Sequence, residues 1–228
     1  FITASAVDGE VRLTWDNSAE RSRDPIYGTD FEMYKIYRST DPDFNDIKTI
    51  TDAFGNPLLW EPIAQFDKNN GLRGAHPVPI GEFGVTYDMG TDSGLEYSFI
   101  DRDVQNGRTY YYAVVSVDHG YADNFYEDGI SELPNLVPIS PTESGKVIQV
   151  DAFDNVIATD RNTAAVTPQP ATTGYIPPAL ENDRIDRISG VSTGRIEVSF
   201  MVPDSVRSDG HEYEFTFKDD GRYRALDS

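Results

Sequence analysis

Residues 98–120 read Ser-Phe-Ile-Asp-Arg-Asp-Val-Gln-Asn-Gly-Arg-Thr-Tyr-Tyr-Tyr-Ala-Val-Val-Ser-Val-Asp-His-Gly, the strongest strand signal in the chain. Asn106-Gly107 makes a turn, because both residue types tolerate positive φ. The β-branched and aromatic run that follows suits a pleated surface. In it Tyr110, Tyr112 and Val114 share one face, while Tyr111, Ala113, Val115 and Val117 share the other, and both faces are apolar. A sheet with one wet face alternates apolar with polar residues. This strand is therefore expected to be covered on both sides.

The same periodicity recurs upstream. Val11, Leu13 and Trp15 alternate with Arg12 and Thr14 after an Asp8-Gly9 turn, and residues 31–38 form a strand in which Tyr34 and Ile36 share a face. In their order along the chain, Val-Arg-Leu-Thr-Trp at 11–15, Tyr-Lys-Ile-Tyr-Arg-Ser at 34–39 and Val-Gln-Asn-Gly-Arg-Thr-Tyr-Tyr-Tyr-Ala-Val at 104–114 resemble strand B with its core tryptophan, strand C, and the E–F turn leading into strand F of a fibronectin type III-like domain. The resemblance implies an all-β, seven-stranded, immunoglobulin-like sandwich over residues 1–142, of a kind found in large secreted or cell-surface bacterial proteins. It also implies a long insertion between strands C and E. About 60 residues separate strand C from the E–F turn, and residues 40–96 carry twelve glycines and prolines together with Phe54, Leu58, Leu59, Trp60, Ile63 and Phe66. So much apolar content must pack, and the outer face of the sheet holding residues 110–117 is the surface that needs it.

Residues 130–141 suit a last edge strand interrupted by prolines. Residues 143–180 read as a short hairpin around 151–155 followed by a Pro/Thr-rich linker. Residues 181–228 form a small antiparallel β segment in which Ile196, Val198 and Phe200, then Tyr213, Phe215 and Phe217, alternate with polar residues. Such a segment is too small to make its own core. It packs on the first domain, opens a further domain, or is completed by another chain through β-strand pairing.

Composition narrows the function. The 228 residues carry 19 Lys plus Arg against 39 Asp plus Glu, a net charge of −20. That balance disfavours nucleic acid and anionic lipid as partners, since both are bound by basic surfaces. Without cysteine there is no disulfide and no thiolate chemistry. No apolar run is long enough for membrane insertion. The chain begins at Phe1, as a processed product or a piece of a larger protein does.

Chemical motifs are sparse. His76, His119 and His211 fit no ligand spacing and read as surface or turn residues. Gly190-Val-Ser-Thr-Gly194 matches a nucleophile-elbow pattern but lacks the following helix that the elbow requires. Asp41, Asp43 and Asn45 place oxygens at positions 1, 3 and 5 of a loop, with Asp46 next and Asp52 at position 12, a spacing that suits calcium, although the usual Gly and Glu of such a loop are Asp46 and Asp52. A plain turn after strand C is the alternative. Trp60, Tyr121, Phe125 and Tyr126 lie in loop-like stretches where they either stack on a polysaccharide or pin their loops to the domain. The expectation is a non-catalytic extracellular structural or interaction module of a bacterial surface protein, surface assembly or filament, whose partners are neighbouring domains or subunits. The alternative is a carbohydrate-binding accessory region of a secreted polysaccharide-degrading enzyme.

Overall fold

The computed structural model describes residues 1–81, 84–174 and 189–190. The chain divides into two compact units, Phe1–Ala171 and Thr172–Ser228. The described part of the second unit is confined to residues 172–174 and 189–190, so the expected alternating stretches at 196–200 and 211–217, the elbow-like motif beyond Gly190, and His211 lie outside the described residues.

The first unit is all-β. The strands are β1 (Ile2–Val7), β2 (Glu10–Trp15), β3 (Phe31–Ser39), β4 (Ile50–Thr51), β5 (Pro57–Leu59), β6 (Ala64–Asp67), β7 (Ser98–Asp101), β8 (Tyr110–Asp118), β9 (Ile148–Val150), β10 (Val156–Thr159) and β11 (Thr163–Val166). Among the described residues the helical content is two 3-10 turns, Ser18–Arg21 and Asn45–Ile47. A three-stranded sheet runs β1-β2-β7 and a four-stranded one β11-β8-β3-β6, every pairing antiparallel. The short hairpins β4-β5 and β9-β10 stand apart from both.

Between the two sheets lies one core, built from Val11, Leu13 and Trp15 of β2, Tyr34 and Ile36 of β3, and Tyr110, Tyr112 and Val114 of β8. Trp15 meets Tyr34 edge-on with ring centroids 5.9 Å apart, a favourable aromatic geometry. One polar clip crosses this core. Arg38 of β3 donates to both Asp101 oxygens of β7 at 3.0 Å, and the Tyr112 hydroxyl of β8 donates to the same carboxylate at 2.7 Å. A buried carboxylate is tolerable only when its lone pairs are filled in this way.

A second core covers the outer face of the four-stranded sheet, as the two apolar faces of β8 require. Met33, Tyr37, Tyr111, Ala113, Val115 and Val117 pack there against Phe44, Leu72, Tyr87 and Met89 from residues 40–96 and against Tyr121, Ala122, Phe125 and Ile148 from beyond β8. Two expectations are corrected. Residues 40–96 are not all cover, because β6 within them pairs with β3 in the main sheet. Residues 130–141 make no strand; Pro134, Pro138 and Pro141 lack the N–H a ladder needs, and Ile139 makes only an isolated bridge to Tyr121. The last strand is β11, drawn from the stretch read as linker. Its small residues Ala164 and Ala165 pair with Tyr112 and Tyr111, and the first unit runs on to Ala171.

Candidate interaction surface

The acidic run at 41–52 folds as two separate turns. Asp41 accepts from the N–H groups of Asp43 (3.0 Å) and Asn45 (3.2 Å), which closes an Asx-type turn. Asp46 accepts from the Ser39 hydroxyl and from the Thr40 N–H (2.9 Å) and hydroxyl (3.0 Å). Burial pushes the Asp46 carboxyl up, but these hydrogen bonds outweigh it and its pKa is lowered. At the centre of the turn Phe44 adopts a left-handed conformation (φ 58°) and drives its ring into the outer core. Asp52 belongs to the next turn, where Asn56 holds its carboxyl below the usual range. Among the described residues no three His, Asp or Glu side chains are gathered as a metal-holding group.

The four aromatics are placed differently from one another. Tyr121 and Phe125 are each 1% exposed within the outer core, and Tyr126 is 48% exposed. Trp60 packs against the same core with the Lys146 ammonium 3.4 Å and the Lys48 ammonium 4.7 Å from its ring centroid, so cations already occupy its π-system. Three of the four therefore pin loops. His76 and His119, expected as surface or turn residues, are buried, each edge-on to Phe125 at centroid distances of 5.4 and 6.0 Å. His76 Nδ1 accepts from the Val78 N–H, so Nε2 carries the proton and donates to the His119 carbonyl at 3.1 Å. Burial lowers the His76 pKa. Both rings are packing elements of the outer core.

Two buried polar clusters were not legible in the sequence. The first is centred on Glu143, which accepts from the Tyr37 (2.7 Å) and Tyr87 (2.9 Å) hydroxyls and from Lys146 (3.1 Å). Burial and then the carboxylate raise both phenols, so they stay protonated donors. Burial lowers the Lys146 ammonium against the opposing pull of Glu143. The partners stand 106 and 56 residues from Glu143, a separation no local pattern spans. The second cluster surrounds Glu32, fully buried on β3; Asn70 donates to one of its oxygens at 2.9 Å and the other has no partner among the described residues. Burial pushes this carboxyl up to about 7. Two shallow polar clefts, of about 300 and 320 Å³, mark the surface, and neither is lined by a histidine.

The outward-facing apolar groups have a pattern. Asp52-Ala-Phe-Gly-Asn56 joins β4 to β5, and Asp151-Ala-Phe-Asp-Asn155 joins β9 to β10. The two turns share one hydrogen-bond set. Each aspartate accepts from the N–H of the phenylalanine two residues on (2.8 Å in both) and of the asparagine four residues on (2.9 Å in both), while the asparagine amide returns a bond to the carboxylate. The fourth residue takes positive φ in each, Gly55 at 85° and Asp154 at 61°. Phe54 is 74% and Phe153 85% exposed. The hairpin around 151–155 was expected from the sequence and is found; that 52–56, with the same Asp-Ala-Phe-x-Asn pattern, closes a second one was not foreseen. Against protein-family models, curated proteins and solved structures the chain has no match.

Proposed function

We propose that this chain is a non-catalytic extracellular module of a bacterial surface protein, surface assembly or filament, built on a fibronectin type III-like sandwich. The split of seven strands into sheets of three and four, with Trp15 of β2 in the core between them, supports the fold half of this reading. The functional half rests on one observation. Among the described residues the buried acid, base and imidazole groups serve packing, whereas Phe153, 85% exposed, presents a large apolar side chain at the tip of the hairpin formed by β9 and β10. Exposed apolar groups on rigid supports are what recognition surfaces offer. The acidic, Asp-rich composition suits a salty exterior, where its self-repulsion is screened.

The test is surface labelling. Antibodies raised against the chain should stain intact, unpermeabilised cells of the producing organism, and brief protease treatment of those cells should remove the signal. Staining only after lysis overturns the reading.

A further inference from the structure

Residues 68–76 and 87–94 are the two legs of a strap laid over the outer face of the four-stranded sheet. The Gly74 N–H donates to the Gly90 carbonyl at 2.9 Å and the Met89 N–H to the Gly74 carbonyl at 2.8 Å, which ties the legs to each other. Leu72 on one leg, with Tyr87 and Met89 on the other, fills the outer core. The far part of the strap is held down by side chains, since Tyr87 donates to Glu143 at 2.9 Å and His76 to the His119 carbonyl at 3.1 Å. The foot, residues 68–72 and 90–94, is held differently. Gly71 (φ 89°) and Gly94 (φ 88°) stand there, one on each leg, and small residues of this kind absorb the backbone rotation of a hinge.

The foot is tied to β3 at Phe31 and Glu32. The pairing of β3 with β8 shifts between Phe31 and Met33, which leaves Glu32 at a bulge, and its side chain is fully buried. Three bonds reach across. Asn70 Nδ2 donates to Glu32 Oε2 at 2.9 Å, the Lys68 N–H to the Glu32 carbonyl at 3.1 Å, and Lys68 Nζ to the Phe31 carbonyl at 2.6 Å. Glu32 Oε1 has no partner among the described residues. The charged groups that act on this carboxyl are Lys68 from one leg, Asp92 from the other and Asp67 from the end of β6. Both aspartates are held as acceptors within the strap: Asp92 takes the N–H groups of Asn70 (3.1 Å) and Gly71 (2.8 Å), and Asp67 takes the Asp92 N–H and the Ser93 hydroxyl (2.6 Å). An ionised Glu32 therefore meets two negative charges, one ammonium and a single side-chain hydrogen bond. A buried anion so poorly solvated is costly, and lifting the foot lets water reach it.

We propose that Glu32 is a pH-operated latch on the foot of this strap: with its carboxyl protonated, residues 68–72 and 90–94 stay closed on β3, and on ionisation they part from it, hydrating the carboxylate and lifting Leu72 out of the outer core. The closed carboxyl titrates at about 7 and the open one near the ordinary 4.5. Opening therefore grows as pH rises between these values and levels off above them. His76, on the far part of the strap, acts in the other direction, because burial disfavours its charged form and only acid would loosen its contact.

Amide exchange of the whole chain from pH 5 to pH 7, each rate divided by the intrinsic rate at that pH, tests the latch. Protection at Gly71, Leu72 and Asp92 should fall roughly 30-fold over this range. It should also be lower than that of the β8 amides and insensitive to dilute urea, because the foot opens without unfolding the sheet. Glu32→Gln should remove the pH dependence at these amides. Asn70→Ala, at an exposed position, keeps the test available if that variant does not fold: loss of the bond to Oε2 should lower protection at Asp92 more at pH 7 than at pH 5. Protection that does not change from pH 5 to pH 7, that equals the β8 values at every pH, or that still falls in Glu32→Gln overturns the proposal, as does an Asn70→Ala variant whose loss at Asp92 is the same at both pH values.

Discussion

Gly120 shows how tightly single positions are specified. It follows His119 with φ 58°, and a Cβ there would come within 2.5 Å of the Ile139 carbonyl oxygen and 2.9 Å of the Pro141 nitrogen. Backbone atoms cannot swing aside as a flexible side chain does, and an L-residue also pays for the left-handed conformation. Gly120→Ala should cost about 3 kcal/mol or more, read as a lowered urea midpoint with the slope unchanged. Glu32 makes a pH-dependent prediction. Its folded pKa, about 7, stands above the ordinary 4.5 because burial disfavours the anion; Asp67 and Asp92 add repulsion, and Lys68 with the Asn70 hydrogen bond only partly opposes them. The folded state thus holds the proton more tightly than the unfolded chain, so this group's contribution is full below about pH 4.5 and is lost as pH rises through 7. The loss is of the order of 3 kcal/mol. Glu32→Gln should flatten that part of the pH–stability curve and make the protein more stable than the parent at pH 8. A variant curve parallel to the parent's from pH 5 to 8 would remove Glu32 as its source.

Among the elements, β8 carries the most consequence. Its two apolar faces demand two cores, and the outer one is supplied by loops rather than by a third sheet. Removing residues 50–90 would strip Leu72, Tyr87 and Met89 from the face of Tyr37, Val115 and Val117, and would delete β6, the edge partner of β3. That deletion should yield insoluble or unfolded protein; a soluble variant melting like the parent would show that the cover is dispensable. The hairpin turns behave differently, because they are closed by their own Asp–Asn bonds at the surface. Asp151→Ala should loosen the 151–155 turn, seen as faster amide exchange at Phe153 and Asn155, and leave the global melting transition where it was.

Taken whole, the molecule is a strongly acidic body, net −20 over 228 residues. Like charges on a compact surface repel more strongly than on an expanded chain, and the few ion pairs of the first unit are mostly solvent-facing and contribute little. Stability should therefore rise with salt: between about 0.01 and 0.5 M NaCl the Debye length shrinks several-fold, and the melting temperature should climb by a few degrees. A fall over that range would mean that ion pairs such as Arg38–Asp101 outweigh the net repulsion.

The amino-acid order is enough to assign β2 and β8, because period-2 alternation in the one, and an unbroken aromatic and β-branched run after an Asn-Gly turn in the other, are local properties read within six to nine residues. It also foretold the second cover, since a strand apolar on both faces cannot leave one of them wet. The partners were not legible in the same way. That Thr163–Val166 completes the sheet while residues 130–141 do not depends on which segment offers β8 a full set of backbone donors, and Glu143 finds Tyr37 and Tyr87 only once the chain has folded. The burial of His76 and His119 was hidden for the same reason, as it follows from Phe125 packing against both rings. Local alternation wrote the strands; long-range pairing and packing, which no short window of residues contains, chose their neighbours and left Phe153 in the open.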